Sequence, residues 1–170
     1  MKLIPLVNKS LAIIVLTCSG FYCYATGSVN ININGKVIAS PCTAGDVTVP
    51  LGDIQATDLV NADSGSTMVA FDLPLTNCPL GTTSVKATFT GEADTDTTRW
   101  KNKAESPATN TSVEVSDQTG GELISNASTR TATVNAGSAT FKLQARAYTA
   151  TGSVTPGGVT ANILVSFEYQ

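Results

Sequence analysis

Between Val29 and Val37 apolar and polar residues alternate. Val29, Ile31, Ile33, Gly35 and Val37 share one face, and Asn30, Asn32, Asn34 and Lys36 share the other. Period two is the strand period. The run ends at Ser40-Pro41-Cys42, which breaks it without folding it back onto a partner. The pattern predicts a strand with no local neighbour, and the neighbour is expected on another molecule.

Beyond Cys42 the apolar runs are short and closely spaced. Strands are predicted over Asp46–Leu51, Met68–Leu75, Ser84–Thr90, Thr111–Ser116, Thr129–Val134, Ala139–Ala147 and Val159–Tyr169. Turn signals separate them, among them Gly52-Asp53, Asp63-Ser64-Gly65, Cys78-Pro79-Leu80-Gly81 and Asn135-Ala136-Gly137. No segment carries a long helical stripe, and a short helical turn is expected around Ile54–Val60. Many short strands joined by such turns predict an all-β chain, a β-sandwich of immunoglobulin type. No internal repeat or long linker divides it.

The last run has a strong inward face: Ala161, Ile163, Val165, Phe167 and Tyr169. A final strand this apolar needs a neighbour on each side, or it leaves an exposed edge. The remaining runs are too few to supply one. Residues 29–37 fit the gap, either folded back on their own sheet or filling the same gap in another subunit.

The N-terminus reads as a targeting segment. Lys2 and Lys9 precede a short apolar core, Leu11–Leu16, and Cys23-Tyr24-Ala25 places small residues ahead of a cleavage point. The core is short for a membrane span, and Val15-Leu16-Thr17 before Cys18 fits a lipoprotein signal poorly. The expected division is a signal peptide over residues 1–25, an extension over 26–39 and a domain over 40–170. Cleavage removes Cys18 and Cys23. It leaves Cys42 and Cys78 in an oxidising setting, where one disulfide is the expected state.

Composition narrows the function. The 170 residues include no histidine. That removes Ser-His-Asp and Cys-His nucleophilic catalysis, histidine metal sites and the commonest general base. No cofactor or metal is expected. The net charge of −3 becomes more acidic once Lys2 and Lys9 are cut away, and no basic cluster remains for nucleic acid. Asp94-Thr95-Asp96 lacks the regular ligand spacing of a calcium loop and reads as a solvated turn. Trp100, between Arg99 and Lys101, reads as a core aromatic before it reads as a sugar platform. Asn110-Thr111-Ser112 and Asn126-Ala127-Ser128 match a glycosylation acceptor pattern too common to use.

Taken together, several segments resemble the pilins of chaperone–usher fimbriae, and among them the minor tip subunits. They are Val29–Val37 continuing through Ile38-Ala39-Ser40-Pro41-Cys42-Thr43, then Leu75–Thr82, Val85–Asp94, Leu143–Ala147 and the strand ending in Tyr169. The resemblance spans essentially all of residues 26–170. It implies an incomplete immunoglobulin-like sandwich lacking its seventh strand. A periplasmic chaperone fills the gap first. At the outer-membrane usher, the extension of the next subunit replaces it.

Carried over, Val29, Ile31, Ile33, Gly35 and Val37 would be donor residues, with Gly35 matching the glycine that donor strands place at one groove position. Cys42 and Cys78 would be the family disulfide. Ile163, Val165 and Phe167 would line the acceptor groove. Gly157, fourteenth from the end, and penultimate Tyr169 match the C-terminal pattern linked to chaperone recognition, and the Gln170 carboxylate would be held by chaperone basic residues. The expectation is a non-enzymatic structural subunit exported through the periplasm to a fimbrium. It would join neighbouring pilins and a tip adhesin. A major rod pilin is the alternative. A secreted carbohydrate-binding sandwich is another, although adhesins of this kind carry a separate lectin domain for which this chain has no room.

Overall fold

The computed structural model describes residues 28–38 and 40–170; the expected signal peptide, with Cys18 and Cys23, lies outside them. Residues 36–170 form one unit and the described residues 28–35 belong to another.

Ten short elements build the larger unit. The strands are β1 (Thr43–Ala44), β2 (Ser64–Gly65), β3 (Val69–Thr76), β4 (Ser84–Gly91), β5 (Trp100–Lys101), β6 (Ser112–Asp117), β7 (Thr129–Thr133), β8 (Ala139–Thr149) and β9 (Ile163–Tyr169). A single 3-10 turn, Ala56–Leu59, falls inside the predicted helical turn and buries Leu59. All pairing between these strands is antiparallel. One sheet runs β1-β3-β8-β6-β5, with β2 on β8, and the other runs β7-β4-β9.

Alternation decides what each strand buries. Val85, Ala87 and Phe89 of β4 face Leu73 and Leu75 of β3 and Phe141, Leu143 and Ala145 of β8 across one core. The Phe141 and Phe167 rings stack between the two sheets with centroids 6.3 Å apart. β1 pairs only with Leu75 and Thr76 of β3, and the next residue on β3 is Pro74. Proline has no N–H to give a ladder. There the chain leaves the first sheet and runs on as Gly45–Gln55 without strand pairing.

Cys42 and Cys78 form the expected disulfide, pinning the residue before β1 to the residue that follows β3 and Asn77. Their separation of 36 residues corresponds to about 3–4 kcal/mol in the loop-entropy model.

Three strand expectations need correction. Asp46–Leu51 is not a strand, the last strand begins at Ile163 rather than Val159, and Val29–Val37 forms no strand. The cause is shared. Extended backbone becomes a strand only when its N–H and C=O groups find a ladder, and among the described residues no continuous ladder runs beside these segments; before Ile163, Thr160 is held instead by the Lys103 N–H and the Asn102 side chain.

Candidate functional site: an open groove beside the last strand

Strand β9 pairs with β4 from Val85↔Tyr169 to Gly91↔Ile163. Its other edge has no ladder partner among the described residues. Facing that edge is the unpaired segment that leaves β1. The two line one groove of about 1120 Å³, with Asp46–Leu51 along one side and Ile163–Val165 with Phe167 along the other. Its floor is the core itself: Phe71 and Leu73 of β3, Val113 and Val115 of β6, Leu143 and Ala145 of β8. Among the described residues its only titratable members are Asp46 and Asp53, both on one rim.

Burial follows the groove. Ile163, Val165, Phe167 and Tyr169 all face the core, yet each is only half-buried, as are Val49, Leu51 and Phe71. The same alternation on β4 and β8 gives fully buried side chains. The difference is position, since β9 is an edge with no strand paired on its outer side among the described residues. Both walls also carry idle backbone hydrogen-bonding groups. An unpaired strand edge over an apolar floor is the geometry that strand addition by an extended peptide requires.

The C-terminal residues that the resemblance singles out are held by specific packing contacts. Gly157 lies in the groove wall against Pro107 and Ala108, and a Cβ there would come 2.3 Å from the Ala108 nitrogen. The Gly158 N–H donates to the Ser106 carbonyl and the Ala108 N–H to the Gly158 carbonyl, holding this approach closed. Tyr169 sets its ring beside Phe167, with centroids 6.5 Å apart, and its hydroxyl donates to the Cys42 carbonyl at 3.5 Å. A terminal oxygen of Gln170 accepts the N–H groups of Thr83 at 2.7 Å and Ser84 at 3.1 Å, while the residue stays exposed.

Within residues 28–35, Val29, Ile31 and Ile33 are exposed, Ile33 at 90%. Gly35 shares the exposure. In the larger unit Val37 and Ile38 are also exposed. Apolar side chains repeated at period two in water are an unsatisfied surface.

Charge lies away from the groove. Glu114 of β6 is 2% exposed and receives the guanidinium groups of Arg99 and Arg146, each at 2.8 Å. Arg99 also binds Asp96 and stacks on Tyr148, 3.6 Å from the ring centroid. Burial opposes the Arg99 charge, and its bonds to Glu114 and Asp96 more than offset this. Burial, then the hydrogen bond to Asp63, raises the Tyr148 phenol. Hydrogen bonds from Thr98 hold Asp96 below the usual carboxylate range.

The side chain of Asp96 is therefore committed to Thr98 and Arg99, and no metal-binding cluster occurs among the described residues. Trp100 is 1% exposed, with its indole N–H donating to the Ile124 carbonyl at 2.8 Å. It is a core residue and offers no platform for a sugar.

Sequence reasoning missed three parts of this picture. It took Asp46–Leu51 as a strand rather than an unpaired groove wall. It saw Gly157 only as part of a motif, and it did not see the ion cluster on Glu114. An unpaired rim and a backbone contact leave no periodic trace. Glu114 does leave one, a lone carboxylate on the polar positions of a buried run, with Arg146 elsewhere in the chain.

The family model described as fimbrial protein matches residues 31–170. Protein FimG of Escherichia coli K12 is 41% identical over 84% of this chain and 85% of its own length. The S-fimbrial adhesin protein SfaS of Escherichia coli O6:K15:H31 is 36% identical over 91% of this chain and 93% of its own. The crystal structure of the P pilus rod subunit PapA superposes with a TM-score of 0.65 at 19% identity, covering 77% of this chain and all of that one, and so shares its fold.

Proposed function

The chain belongs to the fimbrial protein family and is a subunit of a chaperone–usher pilus on the cell surface, and from that premise we propose that it is a minor tip subunit polymerising by strand exchange. It donates Val29–Val37 to the groove of one neighbour and accepts a neighbour's strand beside its own β9. The observation that carries this reading is the open groove, two unpaired walls over an apolar floor, in a chain whose exposed N-terminal segment alternates at the period such a groove requires.

The physics fits. Val29, Ile31, Ile33 and Val37 are each worth roughly 1.5–3 kcal/mol when buried, or about 6–12 kcal/mol together. Backbone pairing adds about 0.5–1.5 kcal/mol net for each hydrogen bond. Lost translational freedom offsets part of this. Withdrawal exposes the acceptor's floor again, so the joint is durable in rate as well as in equilibrium. A head-to-tail contact that does not close makes a fibre.

Under the same reading residues 1–25 are a signal peptide and 26–39 the donor extension of a domain over 40–170. Before assembly a periplasmic chaperone holds the groove, with Tyr169 and the Gln170 carboxylate among the groups it contacts, and the outer-membrane usher exchanges it for a pilin strand. The likeness to FimG supports a place at the tip, between an adhesin and the rest of the fibre. No step calls for a catalytic group.

The test is a complementation assay on residues 40–170. Thermal unfolding is followed alone, with a peptide copying residues 26–39, and with extension peptides from candidate neighbouring pilins. A low melting temperature, raised strongly by one neighbour's peptide, confirms the open groove and names the donor. A domain already stable and indifferent to every peptide overturns the strand-exchange reading. A best response to its own extension would place the chain in a self-repeating rod.

A further inference from the structure

Asn34 and Gly35 are adjacent in the exposed extension, and neither belongs to a strand. A methyl group built on Gly35 meets nothing within 4 Å among the described residues. We propose that Asn34 is a deamidation site, open while the extension is unpaired and closed once it is inserted as a strand. The proposal rests on the donor-strand reading for its second half only.

The chemistry is internal to the chain. The Gly35 backbone nitrogen, losing its proton, attacks the Asn34 side-chain carbonyl carbon. The bond from that carbon to the amide nitrogen breaks, and ammonia leaves with the proton. The product is a five-membered cyclic imide. Water then opens it at one of its two carbonyls. One opening gives aspartate. The other gives isoaspartate, in which the main chain runs through the side-chain carbon. No oxidant or cofactor is required.

Two conditions must hold, and residues 34–35 meet both. The attacking nitrogen must be unhindered, and glycine has no Cβ to crowd it. The backbone must be free to bring nitrogen and side chain together, and no ladder holds it here. The extension carries its own controls. Asn30 and Asn32 share the polar face and the exposure of Asn34, but each precedes an isoleucine, whose branched Cβ shields the nitrogen.

Insertion closes the reaction. Between two strands each backbone N–H is donated to one side or the other and the backbone is held extended, so the Gly35 nitrogen cannot reach the side chain. The damage differs between products. Aspartate adds a charge to the face turned away from the floor. Isoaspartate lengthens the main chain by one carbon. Residues after position 34 then lose their alternation with those before it, and a strand whose register slips turns its apolar set to the wrong face. Val37 could no longer enter the groove together with Ile31 and Ile33. Subunits that wait too long unassembled would thus become unable to donate.

The experiment ages the purified chain at mildly alkaline pH in two forms, monomeric and assembled into fibres. Each sample is then unfolded, cut after Lys36 and read by fragment mass spectrometry. The expected result is conversion at Asn34 faster than at Asn30 or Asn32 by an order of magnitude or more in the monomer, and slowed by a comparable factor in the fibre. Gly35→Ala in the monomer should slow Asn34 to a rate between its own and that of Asn32, since alanine adds a Cβ but not a branched one. Equal rates at the three asparagines overturn the site and leave the donor-strand reading untouched. Fast conversion of Asn34 at the same rate in monomer and fibre overturns the protection and, with it, the pairing of residues 29–37.

Discussion

The backbone of Gly157 is pressed against Ala108, so that a methyl group on Gly157 would stand 2.3 Å from the Ala108 nitrogen and 2.6 Å from the Pro107 carbonyl carbon. The obstacle is main chain on both counts, which no rotamer change relieves. This contact closes one end of the groove wall that leads into β9. The glycine has a mechanical reason to be there, independent of any recognition role.

Gly157→Ala is therefore expected to lower domain stability by about 1–3 kcal/mol, the usual range for inserting a methyl into filled space. Gly45→Ala is the comparison. Gly45 also lines the groove, but a Cβ there meets nothing within 4 Å, and its effect should be within about 0.5 kcal/mol, as for unconstrained surface changes. Denaturant midpoints of the two variants separate packing at Gly157 from a general sensitivity of the wall.

Ile33→Asp tests donation rather than folding. Ile33 is 90% exposed in the unassembled chain, so the charge should leave the melting temperature of the domain unchanged. In a groove it replaces an apolar side chain worth roughly 1.5–3 kcal/mol and adds a desolvated carboxylate. Binding of the extension peptide to an acceptor should weaken by roughly a hundredfold or more, at about 1.4 kcal/mol per decade. Asn32→Asp, one residue away on the polar face, should bind nearly as well as the parent. Equal loss at both positions would contradict the alternation.

Glu114→Gln addresses the ion cluster. Glu114 holds both Arg99 and Arg146 in a buried setting. Removing its charge leaves two guanidinium groups facing a neutral amide. Loss of about 3–5 kcal/mol is expected, as when one partner of a buried pair is deleted. Asp72→Asn, which breaks the exposed pair with Lys142, should cost at most about 1 kcal/mol. Urea unfolding of both variants gives the contrast directly.

Acid should destabilise the domain through Glu92 and Asp96. Hydrogen bonds from Lys101 and then Lys103 hold Glu92 down to about 2, and Thr98 lowers Asp96. Both folded values are depressed, so the unfolded chain takes up protons first. The stability they contribute is fully present above the ordinary carboxylate range and disappears as pH falls through it toward 2. Glu92 is well exposed, so its share is small and sensitive to salt. Melting temperatures between pH 7 and 2 should fall, and Glu92→Gln should make the fall shallower. An unchanged acid slope in that variant would remove Glu92 from the account.

What the sequence determined by itself was periodic. Alternation placed six strands nearly as they stand, because the side chains of β3, β4, β6, β7, β8 and β9 answer to burial on one face and that face is written in the residues. It also marked the two cysteines of the domain as a pair. What only the tertiary structure decided was adjacency. Asp46–Leu51 has strand-like residues, yet it is a groove wall, because the ladder from β1 ends beside Pro74 and no described residue stands between this segment and β9. Gly157 meets Ala108, and Arg99 and Arg146 meet at Glu114, through contacts far apart in the chain. A residue pattern reports which face of a segment is turned inward. It carries no record of which segment lies opposite, or of a place left empty for one, since both depend on how the two sheets close on each other.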